Sequence, residues 1–197
     1  MNAEPKLVRT ACCTIFLAML AIAATLPAAG QVETIDATAR GTSTQMGGTF
    51  SVKIIVSQYS TPEDRATLMD AFKKGSNEGL VKALEKMKSS GRIQVPGRVG
   101  YELAYVASIP TPIGRKIRFV TNRKIAFLEA ARNTRSQAYD LTAGEIDMND
   151  QDNNKSAGVL YPAAQLGIDN EGNVSINLRQ NPWHLVNIID WKPKGKE

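Results

Sequence analysis

The chain of 197 residues holds one histidine and two cysteines, and that scarcity limits its chemistry. His184 follows Asn181-Pro182-Trp183 and precedes an apolar run. As a general base it would have to reach a substrate proton; as an edge-strand residue it would pack beside Trp183. Cys12 and Cys13 both lie in the N-terminal apolar segment, so the remainder has no cysteine nucleophile. Structural zinc wants four Cys or His ligands and catalytic zinc about three, which this composition does not supply. There is no G-x-S-x-G elbow, no Walker sequence and no G-x-G-x-x-G fingerprint. No metal and no cofactor are expected. Paired Asp and Glu chemistry stays open, because carboxylate separation is a property of space.

Two charged segments remain. Asp147 to Asn154 (DMNDQDNN) is rich in hard oxygen ligands, with Asp150, Asp152 and Asn154 at positions 1, 3 and 5 of an EF-hand-like loop. Lys155 stands where that loop needs glycine, and Tyr161 where it needs a bidentate glutamate. The match fails at both positions, and a solvated loop is expected. Arg115, Lys116, Arg118, Arg123 and Lys124 gather positive charge in GRKIRFVTNRK. On a strand, Lys116 and Arg118 share a face and would offer a basic row to an anionic polymer or lipid headgroup. The competing reading is a charged edge strand that discourages aggregation.

The elements that must position these residues follow from patterning. Lys6 and Arg9 precede sixteen uncharged residues, Ala11 to Leu26, and then Pro27 and the small Ala28-Ala29-Gly30. Residues 1–30 read as a secretory signal peptide, cut after Gly30. Sixteen apolar residues fall short of the roughly 20 that span a bilayer, and no later stretch is apolar enough. Residues 31–197 form one cysteine-free domain, exported to the periplasm or outside the cell. Losing Lys6, Arg9 and Glu4 leaves a net charge of +4 from +5. So small an excess, with few aromatic interleavers, argues against nucleic acid as partner.

Val32 to Thr44 reads as a strand or extended arm, and Phe50, Val52, Ile54 and Val56 alternate as a strand. Thr61, Pro62 and Asp64 start a helix, with Leu68 and Phe72 on one face. Gly75-Ser76-Asn77 interrupts it, and Asn77 is placed to cap a second helix carrying Leu80, Leu84 and Met87. Strands resume from Ile93. Tyr101, Leu103, Tyr105 and Ala107 share one alternation, and Lys116 to Val120 continue it after a turn at Pro110 to Gly114. Ile125 to Arg132 fits a helix or a strand equally. Tyr139 to Met148 reads as a strand bulged at Gly144. Val159 to Ile168 and Val174 to Leu178 flank a hairpin turn, and Leu185 to Trp191 closes the sheet. The expected class is α+β: a mostly antiparallel sheet with a pair of short helices inserted after the second strand.

Gly91 to Tyr105, Ile117 to Ile125, Ser156 to Leu166 and Asn181 to Ile188 resemble a group of exported bacterial proteins with no assigned activity. The resemblance implies export and a single domain, and it transfers no site residue. The expected function is a non-enzymatic binding or structural module of the periplasm or envelope, its partner an anionic envelope component or another protein. The alternatives are a carboxylate-dependent hydrolase of envelope or extracellular polymers, with or without His184, and a binder of anionic lipid or polysaccharide through the five basic residues.

Overall fold

The structure, a computed structural model, describes residues 33–43, 46–121, 123, 141–168, 174–178 and 181–191. Residues 1–30, read above as a signal peptide, Lys124, the stretch 125–132 and residues 169–173, read above as a hairpin turn, lie outside the described residues.

Period-2 alternation becomes strand wherever it was strong. The strands are β1 (Glu33–Gly41), β2 (Thr49–Val56), β3 (Gly91–Gln94), β4 (Tyr101–Leu103), β5 (Tyr105–Thr111), β6 (Gly114–Val120), β7 (Leu141–Asn149), β8 (Ala157–Ile168), β9 (Val174–Leu178) and β10 (Trp183–Trp191). All pairings are antiparallel, in the order β4-β3-β2-β1-β10-β8-β7-β6-β5, with β9 beside β8. The two outermost strands, β4 and β5, are consecutive in the chain and joined by Ala104 alone. A sheet whose two edges are one residue apart must curl until they meet. The result is a nearly closed barrel, which leaves little unpaired edge.

Ile35, Ile54, Ile93, Leu103, Ile117, Phe119, Ile146 and Leu160 fill the lumen and are almost fully buried. Each such side chain contributes about 1.5–3 kcal/mol of burial. Phe50 meets Trp183 edge to face at 4.7 Å in the same core. The Phe119 ring lies over Gly144, where an added Cβ would stand 2.1 Å from it. The outer face carries charged pairs such as Lys53 with Asp36.

One helix, α1 (Pro62–Leu84), follows β2 and lies against the outside of the wall. Thr61 caps it: its hydroxyl accepts from Asp64 N–H, and the Asp64 carboxylate accepts from Thr61 N–H at 2.8 Å. No helix among the described residues is long and apolar enough to cross a membrane.

The expected α+β class with two short helices is overturned: the described residues form a mostly antiparallel, nearly closed barrel with a single helix. Gly75 and Ser76 do leave helical geometry, Ser76 with φ of +50°. Helix resumes at once, however, so the interruption is a kink rather than a loop. Gly79 allows the close approach behind the kink, since a Cβ there would meet the Ala71 carbonyl at 2.4 Å. Asn77 does not spend its side chain on a cap. Its Oδ1 accepts from Leu166 N–H in β8 at 3.0 Å, which pins the helix to the barrel. The irregularity in β7 falls between Leu141 and Ala143, opposite β8, not at Gly144.

Candidate functional site

The four described basic residues, Arg115, Lys116, Arg118 and Arg123, do not form one surface row. Strand alternation in β6 turns Arg115, Ile117 and Phe119 inward and Lys116 and Arg118 outward. Arg115 Nη1 donates to Glu33 Oε2 and to the Tyr59 hydroxyl, each at 2.9 Å. Its Nη2 donates to Glu33 Oε1 and to Asp190 Oδ2, the latter at 2.6 Å. Tyr59 O–H donates to Glu33 as well. Glu33 opens β1, Asp190 sits near the end of β10, and Tyr59 follows β2, so the quartet lies at one end of the lumen.

Burial alone would raise the Glu33 carboxyl. The hydrogen bonds from Arg115 and Tyr59 outweigh it and hold that carboxyl below its ordinary value. The Tyr59 phenol is pushed up to about 12 by burial and by the Glu33 carboxylate it serves. For Arg115, burial opposes the charge, and the bond and charge of Glu33 more than restore it, raising its pKa. A carboxylate held ionised and clamped on an arginine is a poor proton donor at neutral pH. Two carboxylates do meet here, but their side chains are only 7% and 14% exposed, which leaves a substrate little access.

Lys116 and Arg118 share the outer face as expected, and both bond Glu145 of β7; Lys116 also pairs with Asp147 at 3.0 Å. The Lys116 pKa is raised first by the Glu145 bond and then by the Asp147 bond. Two cations and two carboxylates therefore cancel on this face. Arg123 stands apart, its guanidinium 5.8 Å from the Tyr101 ring centre.

His184 is exposed on β10, between Arg40 of β1 and Val159 of β8. β10 lies within the sheet rather than at its edge. Trp183 beside it is buried. The acidic loop spends its groups on its own backbone: Asn149 Oδ1 accepts from the N–H of Gln151 and Asp152, and Asp152 Oδ1 from Asn154 N–H at 3.1 Å. Among the described residues no three His, Cys, Asp or Glu side chains gather as a metal site.

What patterning missed is a groove of about 650 Å³ between α1 and the outside of β5, β6 and β8. Leu68, Phe72, Leu80 and Leu84 of the helix form one wall; Tyr105, Ala107, Ile109 and Val120 form the other. Tyr105 and Ala107 had been expected on the face of Leu103. The structure separates them. Leu103 points into the lumen, Tyr105 points outward, and Val106 is the next to point in. The shift falls at Ala104, where the chain stops pairing with β3 and starts pairing with β6. A one-residue irregularity moves every later side chain to the opposite face. The apolar outer positions of β5 were the available signal, but their face was misassigned. Arg65, Ser60 and Thr61 lie at the groove's end near the start of the helix, and Arg118 lines its barrel side.

No family model, curated protein or solved structure matches this chain.

Proposed function

We propose that this chain is a non-enzymatic binding module of the bacterial envelope, and that its ligand lies in the groove between α1 and the barrel wall. The observation that carries this reading is the groove itself: about 650 Å³, walled mostly by apolar side chains from the helix and the barrel, with Ser60, Thr61, Arg65 and Arg118 as its polar lining. That size and lining are typical of small-molecule sites. Among the described residues the barrel lumen is packed with its own side chains, which favours the groove. Catalysis finds little support: the two carboxylates that meet are clamped on Arg115, and exposed His184 lies opposite Arg40.

A neutral fluorescent apolar probe such as N-phenylnaphthylamine tests the groove. The native chain should bind it saturably. Ala107→Trp, which fills the groove from the β5 side, should abolish binding while leaving the far-ultraviolet circular dichroism unchanged. Equal binding by a folded Ala107→Trp chain would place the site elsewhere. Export rests on residues 1–30, and mass spectrometry of native material should find a chain beginning near Gln31.

A further inference from the structure

Resting on the groove as the binding site, we infer that its ligand is a single-chain amphiphile with one carboxylate head. The head lies between Arg65 and Arg118, and the chain runs along Leu68, Phe72 and Leu84. Shape, volume and charge lead to this independently.

Shape comes first. Arg65, Leu68, Met69 and Phe72 fall at helical spacings of three, four and seven and so share one face of α1. Past the kink at Gly75 and Ser76, Leu80 and Leu84 continue the same wall. The apolar surface is therefore long, with a cation near one end. That matches a chain with a head better than a compact ring system.

Volume shows what length of chain the groove accommodates. A methylene group occupies about as much space as a water molecule, about 30 Å³. One chain of about sixteen carbons then needs about 500 Å³, which the groove holds.

Charge selects the head. At the helix start the N–H groups of Thr61 and Asp64 are already taken up by each other's side chains. Lys116 and Arg118 are balanced by Glu145 and Asp147. Arg65 has no carboxylate within ion-pair distance among the described residues, and it is exposed. Arg118 bonds Glu145 through Nε, so its terminal nitrogens complete the head site. Of the two cations that line the groove, Arg65 is thus the one without an ion pair among the described residues, which suits a monoanion. A phosphate monoester carries about 1.5–2 negative charges at neutral pH and would meet Glu145 close by.

Calorimetric titration of the full chain with dodecanoate and with dodecanol, of equal chain length, tests this. The carboxylate should bind about tenfold tighter than the alcohol. Arg65→Gln should remove most of that preference and leave dodecanol binding unchanged. High salt should shrink the preference in the native chain. Equal affinities for acid and alcohol, or a preference untouched in Arg65→Gln, would overturn the head assignment while the neutral probe still reports an intact groove. If dodecanol, dodecanoate and the neutral probe all fail to bind, the groove reading itself falls, and this inference with it. Tighter binding of dodecyl phosphate than of dodecanoate would also overturn the choice of carboxylate.

Discussion

Arg115 and Glu33 stand 82 positions apart in the chain and meet as a buried, two-pronged ion pair at one end of the barrel. β6 and β1 are not sheet neighbours, so the pair reaches across the lumen. Tyr59 and Asp190 complete it. A group that looked like part of a basic surface is instead a polar plug, and its removal has calculable consequences.

Arg115→Met should be severely destabilising. It leaves Glu33 and Asp190 buried without their cation, and breaking a buried pair from one side costs about 3–5 kcal/mol. Denaturant unfolding followed by circular dichroism should show a midpoint far below that of the native chain. The triple change Arg115→Met, Glu33→Gln and Asp190→Asn removes all three charges and should recover much of the loss. A single substitution of native stability would show that the plug does not hold the barrel end.

The same cluster sets a response at both extremes of pH. The Tyr59 pKa is raised from 10.0 to about 12, so the folded state keeps this proton after the unfolded chain has lost it. Its contribution is complete below pH 10.0 and is lost as pH rises to about 12, at up to about 1.4 kcal/mol per pH unit. Glu33 behaves oppositely. Its pKa is lowered from 4.5, so its contribution is complete above that value and is lost as acid drives pH through the folded value. Absorbance titration should show one of the five tyrosines ionising late, and Tyr59→Phe should delete that step.

Gly144→Ala tests the packing of the lumen. A Cβ at this position would sit 2.1 Å from the Phe119 ring, which is fully buried in the core. Overpacking of this kind costs about 1–3 kcal/mol. Thermal unfolding should show the drop, and Gly144→Ala combined with Phe119→Leu should cost less than the sum of the two single changes.

Glu145→Gln probes the outer basic face. Glu145 holds both Lys116 and Arg118, and these pairs are partly exposed, so stability should change by less than about 1 kcal/mol. Binding to vesicles containing anionic lipid should rise at low salt and vanish at high salt. An unchanged vesicle affinity would show that Glu145 does not mask this face.

Much of the fold was legible because its signals are local. The alternation of Phe50 to Val56 and of Lys116 to Val120 reports a strand with two unlike faces, and Thr61-Pro62 with Asp64 reports a helix start. The Gly75-Ser76 interruption was also visible, but kink and loop break the pattern alike. Only the packing of α1 on β8 through Asn77 and Leu166 separates them. The candidate site was nearly illegible. Its helix wall was recognised as apolar, whereas Tyr105 and Ala107 of its barrel wall were placed on the same face as Leu103.

Read alone, the amino-acid order specifies the strand segments, the start of the helix, the poverty of His and Cys chemistry and the presence of basic residues in β6. Tertiary structure decided which way those residues face and whom they meet. Alternation says that two faces differ; it does not say which is inside. That choice came from closing the sheet through Ala104, where one residue reverses the phase of β5 and sends Tyr105 and Ala107 out to form the groove. Closure likewise brought Glu33, Tyr59 and Asp190 to Arg115, because a charge buried at the end of a lumen is stable only when carboxylates from distant strands surround it.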